Sequence, residues 1–166
     1  MKTFCKKIYN FFVEDKRSAI FWLLPRFYVG YIWFMAGFEK VGSPAWIGPG
    51  AGNALSGFLN GALTKTAGAH PDVMLWYAWL IKNIFLPLAP YLSYFVVFGE
   101  MLVGIALIIG FKTRKAAFAG AFMNINYLFS GTVSINPLLL ILQIFIMLSK
   151  RVSGYFGLDG IIKRGK

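Results

Sequence analysis

The sequence predicts an all-α fold, a four-transmembrane-helix bundle with short interfacial helices in a long outer loop. Three observations predict it: a lipid-like composition, four long apolar runs, and basic residues concentrated in alternate connections. Of the 166 residues, 58% are hydrophobic, 18% aromatic and only 14% charged, with a mean hydropathy of +0.64. Soluble domains hold about 25% charged residues, so this chain lacks the polar surface that would face water, and lipid must cover it. The length suits one domain over residues 1–166.

The first run, residues 19–38, is AIFWLLPRFYVGYIWFMAGF, interrupted by Arg26 alone. Spanning about 30 Å of hydrocarbon takes about 20 such residues. A secretory signal would have an apolar region of about 7–15 residues and a small-residue cleavage site. This run is longer and ends in Glu39-Lys40, which predicts an anchored helix instead. The second span covers about 87–110, the third 116–130 and the fourth 132–149. A tight GTVSINP turn links the last two, and Pro137 sits where a helix restarts, because the missing N–H of a first-turn proline has no internal partner in any case.

The loop at 41–86 is too long for a turn. Its Gly-rich PAWIGPGAGNALSG and aromatic VMLWYAWLIKNIF predict one or two short helices over the outer mouth, with Lys82, Trp76, Tyr77 and Trp79 as headgroup-level anchors. A fifth span at 73–86 would be short, with Lys82 inside it. Before the first span, Phe4, Ile8, Phe11 and Phe12 among lysines predict a helix lying on the inner leaflet.

Charge sets the orientation. Net charge is +11. Thirteen of the 17 basic residues fall in three stretches: Lys2, Lys6, Lys7, Lys16 and Arg17; Lys112, Arg114 and Lys115; Lys150, Arg151, Lys163, Arg164 and Lys166. The remaining connections hold Lys40, Lys65 and Lys82, and Arg26 lies inside a span. Lysine and arginine mark cytoplasmic segments, so the expectation is a multi-pass protein of the cell membrane with both termini cytoplasmic. The same placement, between apolar runs rather than as a stripe with base-reading residues, excludes nucleic acid and points to membrane lipids as partners.

One cysteine and one histidine leave no disulfide, no CxxC pair and no metal set. Cys5 and His70, the latter in an exposed loop, carry no reading of their own. There is no phosphate loop, no HExxH and no self-sufficient catalytic motif.

The informative residues are the polar ones in hydrocarbon. At about 1.5 Å per residue, Arg26 lies about 10 Å from the inner end of its helix, Glu100 about 15 Å, Asn124 about 12 Å and Gln143 about 10 Å. Helical spacing groups Arg26 with Gly30, Trp33 and Gly37; Glu100 with Ser93 and Gly104; Asn124 with Gly120 and Tyr127; Gln143 with Asn136 and Met147. Polar and small residues on TM helices face their neighbours, so one inward polar layer is expected. An unpaired charge there costs at least about 2.5–3.5 kcal/mol, which predicts an Arg26–Glu100 ion pair. A separate cluster near the outer surface is Glu39, Lys40 and Trp46.

The stretches LPRFYVGYIWFMAGFEKVGSPAW, HPDVMLWYAWL, FGEMLVGIALIIGFKTRKAAFAGAFMNINYL, SGTVSINP and RVSGYFGLDG, in this order, resemble the DoxX family of small four-helix membrane proteins over nearly the whole chain. Arg26, Gly37, Lys40 and Glu100 fall at the family's R…G..K and GE positions. The family name comes from a resemblance to a subunit of an archaeal thiosulfate:quinone oxidoreductase. It implies a membrane role around respiratory quinone, sulfur compounds or oxidative stress, beside a soluble redox partner protein, and assigns no catalytic residue.

Three functions therefore stand open. The first is a quinone-binding redox subunit using Arg26, Glu100, Asn124, Tyr127, Gln143 and Trp33, with no covalent or metal-held cofactor. The second is a non-enzymatic scaffold or assembly factor, whose small-residue run Ala116-Ala117-Ala119-Gly120-Ala121 pairs helices within the chain or in a homo-oligomer. The third is a small-molecule carrier.

Overall fold

The computed structural model describes residues 2–150 and 152–164, of which Lys2, Thr3 and Cys5 are described by backbone alone. Arg151 and Lys166, counted above among the C-terminal basic residues, lie outside the described residues. The described residues form helices and turns without a β-strand. In chain order the helices are α1 (Lys2–Glu14), α2 (Ala19–Val41), α3 (Asn53–Leu63), α4 (Leu75–Leu80), α5 (Ala89–Ile109), α6 (Thr113–Phe129), α7 (Asn136–Leu148) and α8 (Leu158–Arg164).

Two segments, Lys16–Val41 and Ala89–Ile109, are helical, long and apolar enough to cross a membrane. Asn136–Leu148 is apolar but shorter. The helix expected before residues 19–38 forms as α1, with Phe4, Ile8 and Phe12 exposed. Asp15 accepts from Arg17 N at 2.9 Å and caps the 3-10 turn into α2, and the Arg17 side chain and N–H hold its carboxyl below the ordinary range. The long connection after α2 contains α3 and α4. A single π turn, Ile81–Phe85, extends α4 before Pro87, and no fifth long helix forms there.

Helices α2, α5, α6 and α7 pack α2 on α5, α5 on α6, α6 on α7 and α7 back on α2, the α2–α5 seam being the most extensive. Glycines make that seam close. A Cβ on Gly104 would lie 2.4 Å from the Phe34 backbone nitrogen, and one on Gly37 would lie 2.7 Å from the Val97 carbonyl oxygen. Val29, Trp33, Val103, Leu107, Leu139 and Ile146 fill the space between the helices. We expect Gly104→Ala to destabilise by about 1–3 kcal/mol through overpacking. Gly57→Ala, in the interior of α3 with no atom within 4 Å of the new methyl, stabilises by about 0.5–1 kcal/mol. Thermal unfolding of the two variants in detergent measures the contrast.

The two ends of this core differ. At one end, α3, α4 and the start of α5 form their own apolar cluster around Leu55, Leu59, Val73, Tyr77 and Ile81. Lys65 Nζ donates to Gly131 O at 2.8 Å, and Tyr77 Oη to Asn126 O at 3.0 Å, tying this cap to the α6–α7 turn. The opposite end carries both termini. There Glu14 pairs with Lys150, and the Lys16 ammonium lies 5.7 Å from the centre of the Tyr155 ring. The small-residue run on α6 is consumed inside the chain: Ala116, Ala117, Gly120 and Ala121 are all buried, leaving Ala119 on the surface.

Candidate functional site

Arg26, Glu100, Asn124 and Gln143 are each 1% exposed or less, so the four faces do turn inward. They do not form one layer. The antiparallel register of α2 and α5 sets Gly37 beside Val97 and Met101, and Gly104 beside Phe34. Arg26 is then level with Gly110, where a Cβ would stand 2.9 Å from its Nη1. Ten residues of helix, about 15 Å, separate that level from Glu100. The expected Arg26–Glu100 ion pair therefore does not form. Depths counted from each helix's own end mislead, because the ends do not lie in one plane.

Arg26 instead grips the chain beyond α7. Its Nη1 donates to Ser153 O at 2.9 Å and its Nη2 to Phe156 O at 3.0 Å. The RVSGYFGLDG segment is built for this approach. A Cβ on Gly157 would collide with Gly110 Cα at 2.7 Å, and one on Gly154 with Asp159 Oδ2 at 2.5 Å. Asp159 then accepts from Lys112 N at 2.7 Å and Thr113 N at 2.8 Å, covering the open N–H groups at the start of α6. Arg26 is a clasp between α2, the tail and, through Asp159, α6.

Glu100 finds its partners at the other end of α2. Lys40 Nζ donates to Glu100 Oε2 at 2.8 Å and to Ala36 O at 2.9 Å. Tyr127 Oη donates to Glu100 Oε1 at 2.5 Å. The Lys40 ammonium also lies 5.3 Å from the centre of the Trp46 ring, and Ser93 Oγ donates to Trp46 O at 2.6 Å, fixing that loop on α5. Of the outer cluster, Lys40 thus joins the buried carboxylate and Trp46 packs on Lys40, while Glu39 is exposed and stands apart. Lys40 continues the Trp33–Gly37 stripe by three residues, so helical spacing already put it on the inward face. Its place at the helix end had suggested a surface role.

Between these two centres lies an amide group. Gln143, oriented by hydrogen-bond complementarity, accepts from Trp33 Nε1 at 2.6 Å and donates to Leu139 O at 3.1 Å. Asn124 Nδ2 donates to Asn136 O at 2.9 Å. Gly120 leaves room for this contact: a Cβ there would meet the Gln143 side-chain amide at 2.4 Å. Trp33 also stacks on Tyr127, with ring centres 6.2 Å apart, which links the amides to the Glu100 centre.

The Tyr127 ring walls an apolar groove of about 260 Å³ that runs between α3, α4, α5 and α6. Phe58 packs edge-on against Tyr127 at 5.9 Å, and Phe95 and Phe122 are largely exposed along the groove's outer side. No group of three or more His, Cys, Asp or Glu that could hold a metal occurs among the described residues. His70 is exposed, as is Lys82.

Fold and site together define a protein helical throughout its described residues, with helices fit to cross a membrane and a buried Glu100 bonded to half-buried Lys40 and Tyr127 beside an apolar groove. Residues 21–166 match the model of the family described as DoxD, the TQO small subunit, and the chain belongs to that DoxX-like, membrane-associated family. No curated protein and no solved structure matches it.

Proposed function

We propose that this protein is the membrane subunit of a quinone-linked redox system and binds the quinone head in the groove beside Tyr127. The observation that carries this reading is Glu100, 1% exposed, joined to Lys40 and Tyr127 while the Tyr127 ring walls an apolar groove. Apolar pockets with few, well-placed polar groups are the usual form of small-molecule sites. A buried acid in a membrane protein marks a binding or proton-transfer site by default.

In this reading the roles divide cleanly. The aromatic walls, with Phe58 and Tyr127, hold the ring, and its apolar tail leaves past Phe95 and Phe122 into lipid. Reduction of a quinone to a quinol takes two electrons and two protons. The electrons come from the redox centre of a partner oxidoreductase subunit. Lys40, Glu100 and Tyr127 pass one of the protons to the quinone, each shift along the hydrogen bonds restoring the next donor, and water at the membrane surface supplies the other. Arg26 has no part in this chemistry. Four crossings by α2, α5, α6 and α7, with both termini cytoplasmic, complete the proposal. The basic residues gathered at the terminus-bearing end support it, as do the many exposed apolar side chains along all four helices.

Tyr127→Phe keeps the ring and removes the proton-passing hydroxyl. We expect it to retain a short-tailed quinone analogue within about tenfold of the parent, because one neutral hydrogen bond is worth about 0.5–1.5 kcal/mol. Partner-coupled quinone turnover falls by about 10²–10⁴-fold, the range for a lost proton-transfer group. Binding is read by equilibrium titration in nanodiscs. A purified protein that carries lipid but no quinone, with analogue binding unchanged in Glu100→Gln and Phe122→Ala, would overturn the reading. Reporter fusions after residues 132 and 164 test the topology.

The scaffold reading keeps one observation in its favour. Arg26, the most buried cation among the described residues, serves the fold through tail carbonyls, so part of the polar interior is structural.

A further inference from the structure

A second cavity, about 1100 Å³, opens at the terminus-bearing end between α6, α7, α8 and the end of α1. Basic residues dominate its rim, among them Lys112, Lys115 and Lys163, against two acids, Glu14 and Asp159. Both acids are already committed: Glu14 to Lys150, and Asp159 to the backbone N–H groups of Lys112 and Thr113. Among the described residues, Lys112, Lys115 and Lys163 form no ion pair. Thr113 lines the same cavity, is 1% exposed, and its Oγ1 has no hydrogen-bond partner. A buried hydroxyl without a partner is costly, and with Lys112, Lys115 and Lys163 lining the same cavity without an ion pair there is a place for a multivalent oxyanion.

The cavity is not a purely polar one. Phe118 and Met147 line it, and Phe118, 64% exposed, is followed one helical turn along α6 by the equally exposed Phe122. An apolar ridge thus leads from the basic rim along the outside of the helices. On α8, the exposed Ile161 and Ile162 precede Lys163 and Arg164, the pattern of a helix lying at a headgroup surface.

We infer that this cavity binds the phosphate headgroup of an anionic phospholipid, with the acyl chains running along Phe118 and Phe122. Basic pockets between helices at the cytoplasmic side are the sequence-readable form of such sites. The apolar ridge favours a lipid over the acidic surface of a soluble protein, which would leave Phe118 and Ile162 uncovered. The headgroup site is separate from the Glu100 centre, Phe122 alone bordering both the acyl ridge and the groove, and the inference does not rest on quinone binding.

Native mass spectrometry of the full chain, released from detergent after incubation with phosphatidylglycerol, phosphatidylcholine, inorganic phosphate or polyglutamate, tests it. The wild type is expected to retain phosphatidylglycerol in preference to phosphatidylcholine. The triple variant Lys112→Gln/Lys115→Gln/Lys163→Gln should lose that preference, at about fivefold per cation and roughly a hundredfold in all. Thr113→Val leaves every charge in place and should weaken binding several-fold, which a diffuse positive surface would not. Equal retention of the two lipids by the wild type overturns the inference whatever the variants do. So does undiminished phosphatidylglycerol binding in the triple variant. Displacement of the lipid by inorganic phosphate at equal concentration would reassign the site to a soluble anion, and capture of polyglutamate in its place would reassign it to an acidic protein.

Discussion

Replacing Lys40 with methionine is expected to destabilise the protein by about 3–5 kcal/mol, the range for breaking a buried ion pair by removing one partner. Lys40 is the cation that offsets Glu100, whose side chain is 1% exposed against 20% for Lys40. Without it the carboxylate keeps Tyr127 Oη as a donor but has no opposing charge. Lys40→Met/Glu100→Leu should recover most of the loss, because replacing both partners with apolar groups is often neutral. Unfolding by titration with denaturing detergent gives both numbers. A single variant within about 1 kcal/mol of wild type would show that the pair is not what holds Glu100 in place. The double variant then separates fold from function: a stable protein that no longer binds quinone analogue supports a site, and one that binds it undiminished supports a purely structural pair.

Removing the Arg26 side chain should produce a loss of similar size but different reach. Arg26→Met deletes two hydrogen bonds from a charged donor, each worth about 1.5–3 kcal/mol, and leaves the carbonyls of Ser153 and Phe156 without that partner. The contacts of α2 with α5 do not depend on these bonds. The expected outcome is release of residues 152–160, read as rapid hydrogen exchange and new protease cleavage there, while the helical core stays protected. Asp159→Ala should reproduce a milder form, about 1 kcal/mol, through loss of the α6 cap alone. Uniform destabilisation of all four long helices would contradict the clasp.

These two residues also mark where sequence reasoning succeeded and where it stopped. Apolar runs and breakers located α2, α5, α6 and α7 to within a few residues, since burial in lipid or in a helical core demands sustained hydrophobicity. Periodicity put Arg26, Glu100, Asn124 and Gln143 on inward faces, and all four are buried. The partners were another matter. With only one acid and one base deep in the spans, pairing them followed from charge alone. Lys40 was grouped with the outer cluster rather than with Glu100, because a lysine at a helix end ordinarily faces water. Helical spacing places it on the inward face, but that its ammonium meets Glu100 is set by the packing of α2 on α5. The Arg26 acceptors are backbone carbonyls, which every residue carries and no sequence distinguishes.

The sequence by itself determined the class of this protein: all-helical, apolar, with charged residues inside its long helices and basic ones between them. These are one-dimensional properties, set by hydrophobicity and its period. Tertiary structure alone decided that the polar interior is divided, a clasp at one end and a Lys40–Glu100–Tyr127 centre beside a groove at the other. The reason is the register of α2 against α5, which close glycine contacts at Gly30, Gly37 and Gly104 hold. That register separates Arg26 from Glu100 by about three turns of helix, and no pattern within either helix records it.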